Sequence, residues 1–291
     1  MAVTFHCKPV ISPLSNKKGL NTKTFPKITE KAYTTKIFGE QKAYVLRPKI
    51  DKISITFAVD CTEHQEGIRS LLSNVIQDPT EPDFQKAYFK SGKAGGYKHS
   101  VHLKHPKTKQ IILIQAAPHY SKNRFMRFEF NPTKLGSTGM EFFRKKLGEV
   151  LLADYTYKDI VTQGRITRLD IASDFIGVTM NDILVRSKKP NITMAYIGKA
   201  GNLESVYPSK PTFDQASTTK VYDKKQERLN NAYHPEYGDI PHLRAEISIQ
   251  TDIKVPKLGK LKNHFDKLDI IARAAVTPPE EEHHWRFFFD S

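Results

Sequence analysis

The chain has 291 residues, 38% of them hydrophobic, enough to bury the core of one large domain or two ordinary ones. Lysine and arginine outnumber aspartate and glutamate 46 to 31, and the resulting formal charge of +15 favours a polyanionic partner, nucleic acid ahead of an anionic membrane surface. No apolar run approaches the roughly 20 residues that span a bilayer, and Cys7 and Cys61, without CxxC spacing, point neither to a disulfide framework nor to structural zinc.

Residues 1–50 are rich in Lys, Thr and Pro and lack periodicity, so they read as an irregular basic arm. From Lys52 to Val59 the chain alternates, with Ile53, Ile55, Phe57 and Val59 on one face, which predicts a first core strand. Glu63 to Ile76 has helical spacing, its stripe formed by Ile68, Leu71, Leu72, Val75 and Ile76. After a glycine turn at Lys93 to Gly96, strands are expected over Tyr97 to Leu103 and Ile111 to Ala116. His99, His102 and His105 invite a metal reading. In a strand, however, the first two face opposite sides and Pro106 ends the run, so a half-exposed basic strand touching phosphate is preferred. Gly92-Lys93 lacks the remaining parts of a P-loop, so use of a nucleoside triphosphate is unsupported.

Arg124 to Asn131 predicts a strand stopped by Pro132, and Met140 to Leu152 an amphipathic helix able to cover its apolar face. Arg165 to Phe175 is a long strand carrying Arg168, Asp170 and Asp174 on one face. A short helix near Met180 to Val185 and a strand from Ile192 to Ile197 follow. Thr218 to Lys224 places Lys220, Tyr222 and Lys224 on one face of a strand, and Lys225 to Asn231 starts a helix or turn. His242 to Gln250 alternates most cleanly, with His242, Arg244 and Glu246 on a polar working face. A basic helix over Leu258 to Leu268 and a tail with Trp285 and Phe287 to Phe289 complete the reading.

Three strands share a pattern of basic residue, apolar residue, acid and apolar residue: Arg127-Phe128-Glu129-Phe130, Arg168-Leu169-Asp170-Ile171 and Arg244-Ala245-Glu246-Ile247. In one sheet they would bring Glu129, Asp170 and Glu246 together, hard oxygen ligands suited to Mg²⁺ or Mn²⁺. A divalent ion so held could polarise a phosphodiester, and Tyr222 is the candidate nucleophile, because Lys220 and Lys224 beside it would favour a phenolate. Taken singly, each strand reads as a solvated face with an ion pair, and Tyr222 as packing. Together with the charge they point to a nucleic-acid-binding protein with a metal-capable acidic site.

The block Thr219-Lys220-Val221-Tyr222-Asp223-Lys224-Lys225-Gln226-Glu227-Arg228, followed by His242-Leu243-Arg244-Ala245-Glu246-Ile247, resembles the active-site signature of the replication initiation factors of rolling-circle plasmids of the staphylococcal type. Relatives of that family serve filamentous phages or act as relaxases of conjugative elements. Arg168 to Ala172 and Arg127 to Pro132 are similar to two further family blocks, so the resemblance runs from about Lys52 to Gln250. It implies a site- and strand-specific DNA nicking and joining enzyme. Tyr222 would attack the scissile phosphate, keep the 5′ phosphate and free a 3′-OH primer. Asp170 and Glu246, with Glu129 as third, would hold Mg²⁺ or Mn²⁺. Lys224 and Lys225, with Arg168 and Arg244, would steady the phosphates, and Arg127, Lys220, Lys257 and Lys260 are expected on DNA. Asp174, one step beyond Asp170, is left with a supporting or structural role.

Implied partners are an origin with a single-stranded or cruciform nick site, a helicase, since no helicase segment is recognisable here, and a second copy of the chain. The implied compartment is the cytoplasm of a bacterial or phage-infected cell, with no membrane involvement. A conjugative relaxase with the same chemistry and a catalytically idle DNA-binding regulator remain open readings. The expected fold is α/β in the α+β sense, a central, largely antiparallel sheet with helices on one face and a DNA-binding cleft on the other. Its catalytic part is expected over residues 51–250, as one body or two similar halves, followed by a basic and aromatic segment over 251–291.

Overall fold

The computed structural model describes residues 33–38, 41–77, 83–86, 96–151, 155–187, 193–208, 217–260, 265 and 268–272. In chain order these form β1 (Tyr33–Phe38), β2 (Gln41–Leu46), β3 (Lys49–Phe57), α1 (Thr62–Gln77), β4 (Phe84–Lys86), β5 (Tyr97–Lys104), β6 (Ile111–Pro118), β7 (Met126–Phe130), α2 (Pro132–Val150), α3 (Tyr157–Gln163), β8 (Arg165–Ile176), β9 (Ile183–Ser187), β10 (Met194–Ile197), β11 (Leu203–Tyr207), β12 (Ser217–Asp223), α4 (Lys224–Asn230), β13 (His242–Lys254) and β14 (Leu268–Ala272). The pairs β1–β2, β2–β8, β3–β7, β4–β5, β5–β6, β6–β7, β9–β14, β10–β11 and β11–β12 are antiparallel, and helices and sheet coexist, so the α+β class is correct. Among the described residues, no helix is long and apolar enough to cross a membrane.

The chain folds into two compact units that interleave along the sequence. One takes the described residues within Met1–Lys49, Ile171–Ser248 and Asn263–Ser291, the other those within Ile50–Asp170 and Ile249–Lys262. The division falls inside β8 and β13. Residues 33–38 and 41–46, expected within an irregular arm, instead form the paired strands β1 and β2, and Val45 pairs with Phe175 of β8. The tail with Trp285 lies outside the described residues, as does most of the glycine turn over Lys93 to Gly96 and of the basic helix over Leu258 to Leu268. What is described of that last stretch is a 3₁₀ turn at Val255–Lys260 and the strand β14.

In the second unit the strand order is β3-β7-β6-β5-β4. Ile53, Ile55 and Phe57 of β3 and Phe128 and Phe130 of β7 are buried, as the alternation predicts. The helix α2 covers them: Phe143 meets Phe128 with ring centroids 6.0 Å apart and Phe130 at 5.2 Å. Fully burying one such side chain contributes about 1.5–3 kcal/mol. Asn131-Pro132, read as a strand stop, also begins this helix: Asn131 caps it, its Oδ1 accepting from the Lys134 N–H at 2.8 Å, and Pro132 takes the first position. The helix consequently starts eight residues before Met140, interrupted at Gly136, where φ is 63°. The short α3 is held by a capping box between Thr156 and Asp159, four residues whose spacing carries the signature in the sequence itself.

In the first unit β10-β11-β12-β13-β8 are neighbours in that order, with β2 also on β8, and β9 pairs with β14 as a separate ribbon. The expected helix near Met180 is one 3₁₀ turn, Met180–Asp182, after which Ile183 to Ser187 extend as β9. Leu243, Ala245 and Ile247 are buried, but so are His242, Arg244 and Glu246 on the opposite face, so β13 is not the half-buried strand the alternation predicts. A strand buried on both faces must carry its polar groups in pairs.

Candidate active site

The site forms where β12 passes into α4. Asp223 ends the strand and caps the helix, its Oδ1 accepting from the Gln226 N–H at 2.8 Å, so the Tyr-Asp-Lys-Lys-Gln block is a strand end, a cap and a first helical turn. This local stop places Tyr222 one residue before the end of the strand. Its ring is buried, 8% exposed, and its hydroxyl donates to Glu246 Oε2 on β13 at 3.1 Å. Lys220 Nζ lies 3.1 Å from Glu246 Oε1 and 4.7 Å from the centre of the Tyr222 ring. Lys224 Nζ is 5.5 Å from that centre and donates to Glu227 at 2.7 Å. A pocket of about 270 Å³ opens beside this group, lined by Tyr207, Lys220, Tyr222, Asp223, Glu227 and Asn230 among others.

These surroundings correct the expected phenolate. Burial, followed by the Glu246 charge, pushes the Tyr222 hydroxyl well above its ordinary value, and the opposing pull of Arg244 does not offset them. The lysines do not ionise Tyr222, because Glu246 lies within hydrogen-bond reach. The phenol stays protonated and presents its proton to a carboxylate.

A second cluster in the same unit surrounds Asp174, which is 1% exposed. Arg244 Nε donates to its Oδ1 at 2.6 Å and the terminal guanidinium nitrogen to Oδ2 at 3.1 Å. His242 Nε2 donates to Oδ1 at 3.0 Å, and Lys49 Nζ lies 3.0 Å from Oδ2. Burial alone would push this carboxyl up. The His242 hydrogen bond, the charge and hydrogen bonds of Arg244 and the charge of Lys49 outweigh it, holding Asp174 well below the ordinary carboxylate range. Arg244, expected on phosphates, is 3% exposed and committed to this carboxylate. Asp174 is thus a centre of buried charge; His242 joins it from the polar face the alternation marked, and Lys49 is a participant that the sequence reading did not single out.

The other predicted acids lie in the second unit. Arg168 holds Asp170 with two bonds of 2.9 Å each. Glu129 accepts from Arg127 at 2.5 Å and lies 3.1 Å from Lys52 Nζ, while Arg127 also donates to Ser54 and Gln115. Glu129, Asp170 and Glu246 are each paired with a cation of their own, two in one unit and the third in the other. Among the described residues no group of three His, Cys, Asp or Glu side chains is placed to hold a metal ion. As placed, these carboxylates do not fit Mg²⁺ or Mn²⁺, because a divalent ion would have to displace the ion pairs that already neutralise them. Of the remaining predicted residues, Lys225 donates to the Asp239 carbonyl at 2.9 Å, Lys257 is exposed on the 3₁₀ turn, and the Lys260 side chain lies outside the described part.

Comparison with known proteins adds little to this geometry. No known family profile matches the sequence, and no curated protein does. A solved structure of a rolling-circle replication initiator protein from Geobacillus stearothermophilus is similar at 16% identity and a TM-score of 0.36, covering 72% of this chain and 76% of that one. A likeness that loose carries no argument, and the chemistry must be argued from the residues.

Proposed function

We propose that the protein is a DNA nicking and joining enzyme that initiates rolling-circle replication through a tyrosyl intermediate. The observation that carries this reading is the Tyr222 hydroxyl donating to Glu246 at 3.1 Å on the wall of a pocket that Lys220 also lines. The resemblance of the Lys220 to Arg228 block to the initiation factors supplies the substrate class, and the charge of +15 suits a polyanion. Glu246 takes the phenolic proton as the Tyr222 oxygen attacks phosphorus. A phosphotyrosyl bond forms, the bond from phosphorus to the 3′ oxygen breaks, and Lys220 gives that oxygen its proton. The contact of 3.1 Å between Glu246 and Lys220 then returns the proton from acid to amine and restores the site. One phosphodiester is exchanged for another, so rejoining needs no nucleotide cofactor. General acid and base assistance of this kind contributes about 10²–10⁴-fold. A relaxase of a conjugative element would use the same steps.

The test is incubation with supercoiled DNA carrying the replicon's own origin, in parallel with Mg²⁺, Mn²⁺ or a chelator. The expected product is a nicked circle with the protein on its 5′ end, lost by roughly 10⁴-fold or more in Tyr222→Phe. An adduct that persists in Tyr222→Phe, or no nick under any of the three conditions, overturns the reading. The chelator arm shows separately whether a divalent ion takes part.

A further inference from the structure

The hairpin of β5 and β6 ends in His105-Pro106-Lys107-Thr108-Lys109-Gln110, a turn that the site chemistry leaves unused. It is held from within. His105, 6% exposed, packs edge-on against Phe142 of α2 with centroids 5.0 Å apart. Its Nδ1 accepts from the Thr108 backbone N–H and is 3.0 Å from the Thr108 hydroxyl as well. The His105 N–H donates to the Gln110 carbonyl and the Lys109 N–H to the His105 carbonyl, each at 2.9 Å. Lys109 is held at φ 57°, a conformation a lysine adopts only when the surroundings impose it. This corrects the reading of His105 as a residue on a half-exposed basic strand touching phosphate: it is buried and fixes the turn from inside.

The fixed turn presents one kind of charge. Lys107 and Lys109 are exposed and Lys104 half-exposed, with no acidic residue from Lys104 to Ile111. No ion pair engages the three lysines among the described residues, and the neighbouring Asp83, whose carbonyl accepts the Lys104 N–H, has its carboxylate 3.6 Å from Lys146 Nζ. β4 flanks β5 up to Leu103 and β7 flanks β6 from Leu113, so the turn alone projects from the sheet, and its lysines would meet phosphates along the duplex backbone rather than base edges inside a groove. No exposed aromatic residue lies between Lys104 and Ile111, so the turn offers nothing for an unstacked base to rest on, which argues against single-stranded nucleic acid. A turn ordered in advance also avoids part of the entropy cost of docking.

We infer that this hairpin tip is a binding element for the phosphate backbone of double-stranded DNA, through Lys104, Lys107 and Lys109, in a sequence-independent manner and apart from any cleavage. The test uses the full chain and measures equilibrium binding to a random-sequence duplex, to a single-stranded oligonucleotide and to polyglutamate across a range of salt. The comparison is with the triple variant Lys104→Gln, Lys107→Gln, Lys109→Gln, whose melting temperature is recorded to show that it folds. The expected result is a loss of duplex affinity of about tenfold, with the slope of log affinity against log salt reduced by about 2–3, because each lost phosphate contact removes about 0.9. Single-strand and polyglutamate binding should stay within about twofold. An unchanged duplex slope overturns the inference, as does an equal loss on single strands or on polyglutamate. Nicking does not enter any of these measurements, so they stand or fall independently of the Tyr222 chemistry.

Discussion

Glu246 in the first unit and Glu129 in the second sit on the same four-residue pattern, an arginine two positions before the acid and an apolar residue on each side, and each has a lysine at 3.1 Å. They differ in where the arginine goes. Arg244 is drawn to Asp174 of β8, and Glu246 takes the Tyr222 hydroxyl. In the second unit β3 supplies Ser54 and β6 supplies Gln115, neither of them charged, and Arg127 binds Glu129 itself as well as those two. The residue opposite Glu129 on β6 is Leu113, which has no proton to give. One pattern therefore yields a carboxylate bonded to a tyrosine hydroxyl in one place and a closed ion pair in the other. The neighbouring strands decide which.

The sharpest way to break this comparison is to neutralise the two acids in turn. Glu246→Gln should lower the rate of nicking by about 10²–10⁴-fold, the range for removal of a general base, while Glu129→Gln should leave it within about threefold. Equal losses in a single-turnover nicking assay would mean that both acids serve one reaction and that the three-acid reading was right after all.

Next in size is Asp174, the carboxylate that captures Arg244. Asp174→Ala leaves a buried arginine and a lysine without their counter-charge, and should cost about 3–5 kcal/mol in urea unfolding. Asp170→Ala removes the partner of an arginine whose side chain is 35% exposed and can turn to solvent, so the cost should be well under half of that. The pH dependence follows from the sign of the Asp174 shift. A carboxyl held low in the folded state and ordinary in the unfolded one adds stability fully above pH about 4, and loses it as pH falls toward the folded value. The difference in unfolding free energy between the wild type and Asp174→Asn should be constant from about pH 8 to 5 and shrink below about pH 4. A gap that widens on acidification would mean that Asp174 is not held as a carboxylate. Smallest is Thr156→Ala, which removes one side of the capping box on α3 and should lower stability by about 1 kcal/mol, read as a small shift in the urea midpoint without change in nicking.

Much of the fold was legible from local chemistry. The alternation of Ile53, Ile55 and Phe57, the stripe of Ile68 and Leu72, and the strand from Arg165 follow from periods of two and 3.6, which a strand or helix imposes on whatever sequence adopts it. Asp223, a residue that both ends β12 and caps α4, put Tyr222 at a strand end, and that too is local. The hairpin β1–β2 was missed because its polar composition resembles that of an arm, and only pairing along β8 gives those residues a reason to extend. The state of Tyr222 was misjudged for a related reason. The adjacent lysines are visible in the sequence, whereas the burial that raises the hydroxyl and Glu246, 24 residues away, are not.

By itself the sequence determined the charge, the periodic elements, and a tyrosine followed by a capping aspartate and two lysines, since each depends on neighbours within a few positions. The tertiary structure decided which carboxylate each cation meets, that Asp174 captures Arg244, that His105 fixes a turn rather than facing solvent, and that Glu129, Asp170 and Glu246 are separate ion pairs. Charges act over a few ångströms of space in a low-dielectric interior, and distance along the chain does not specify that space.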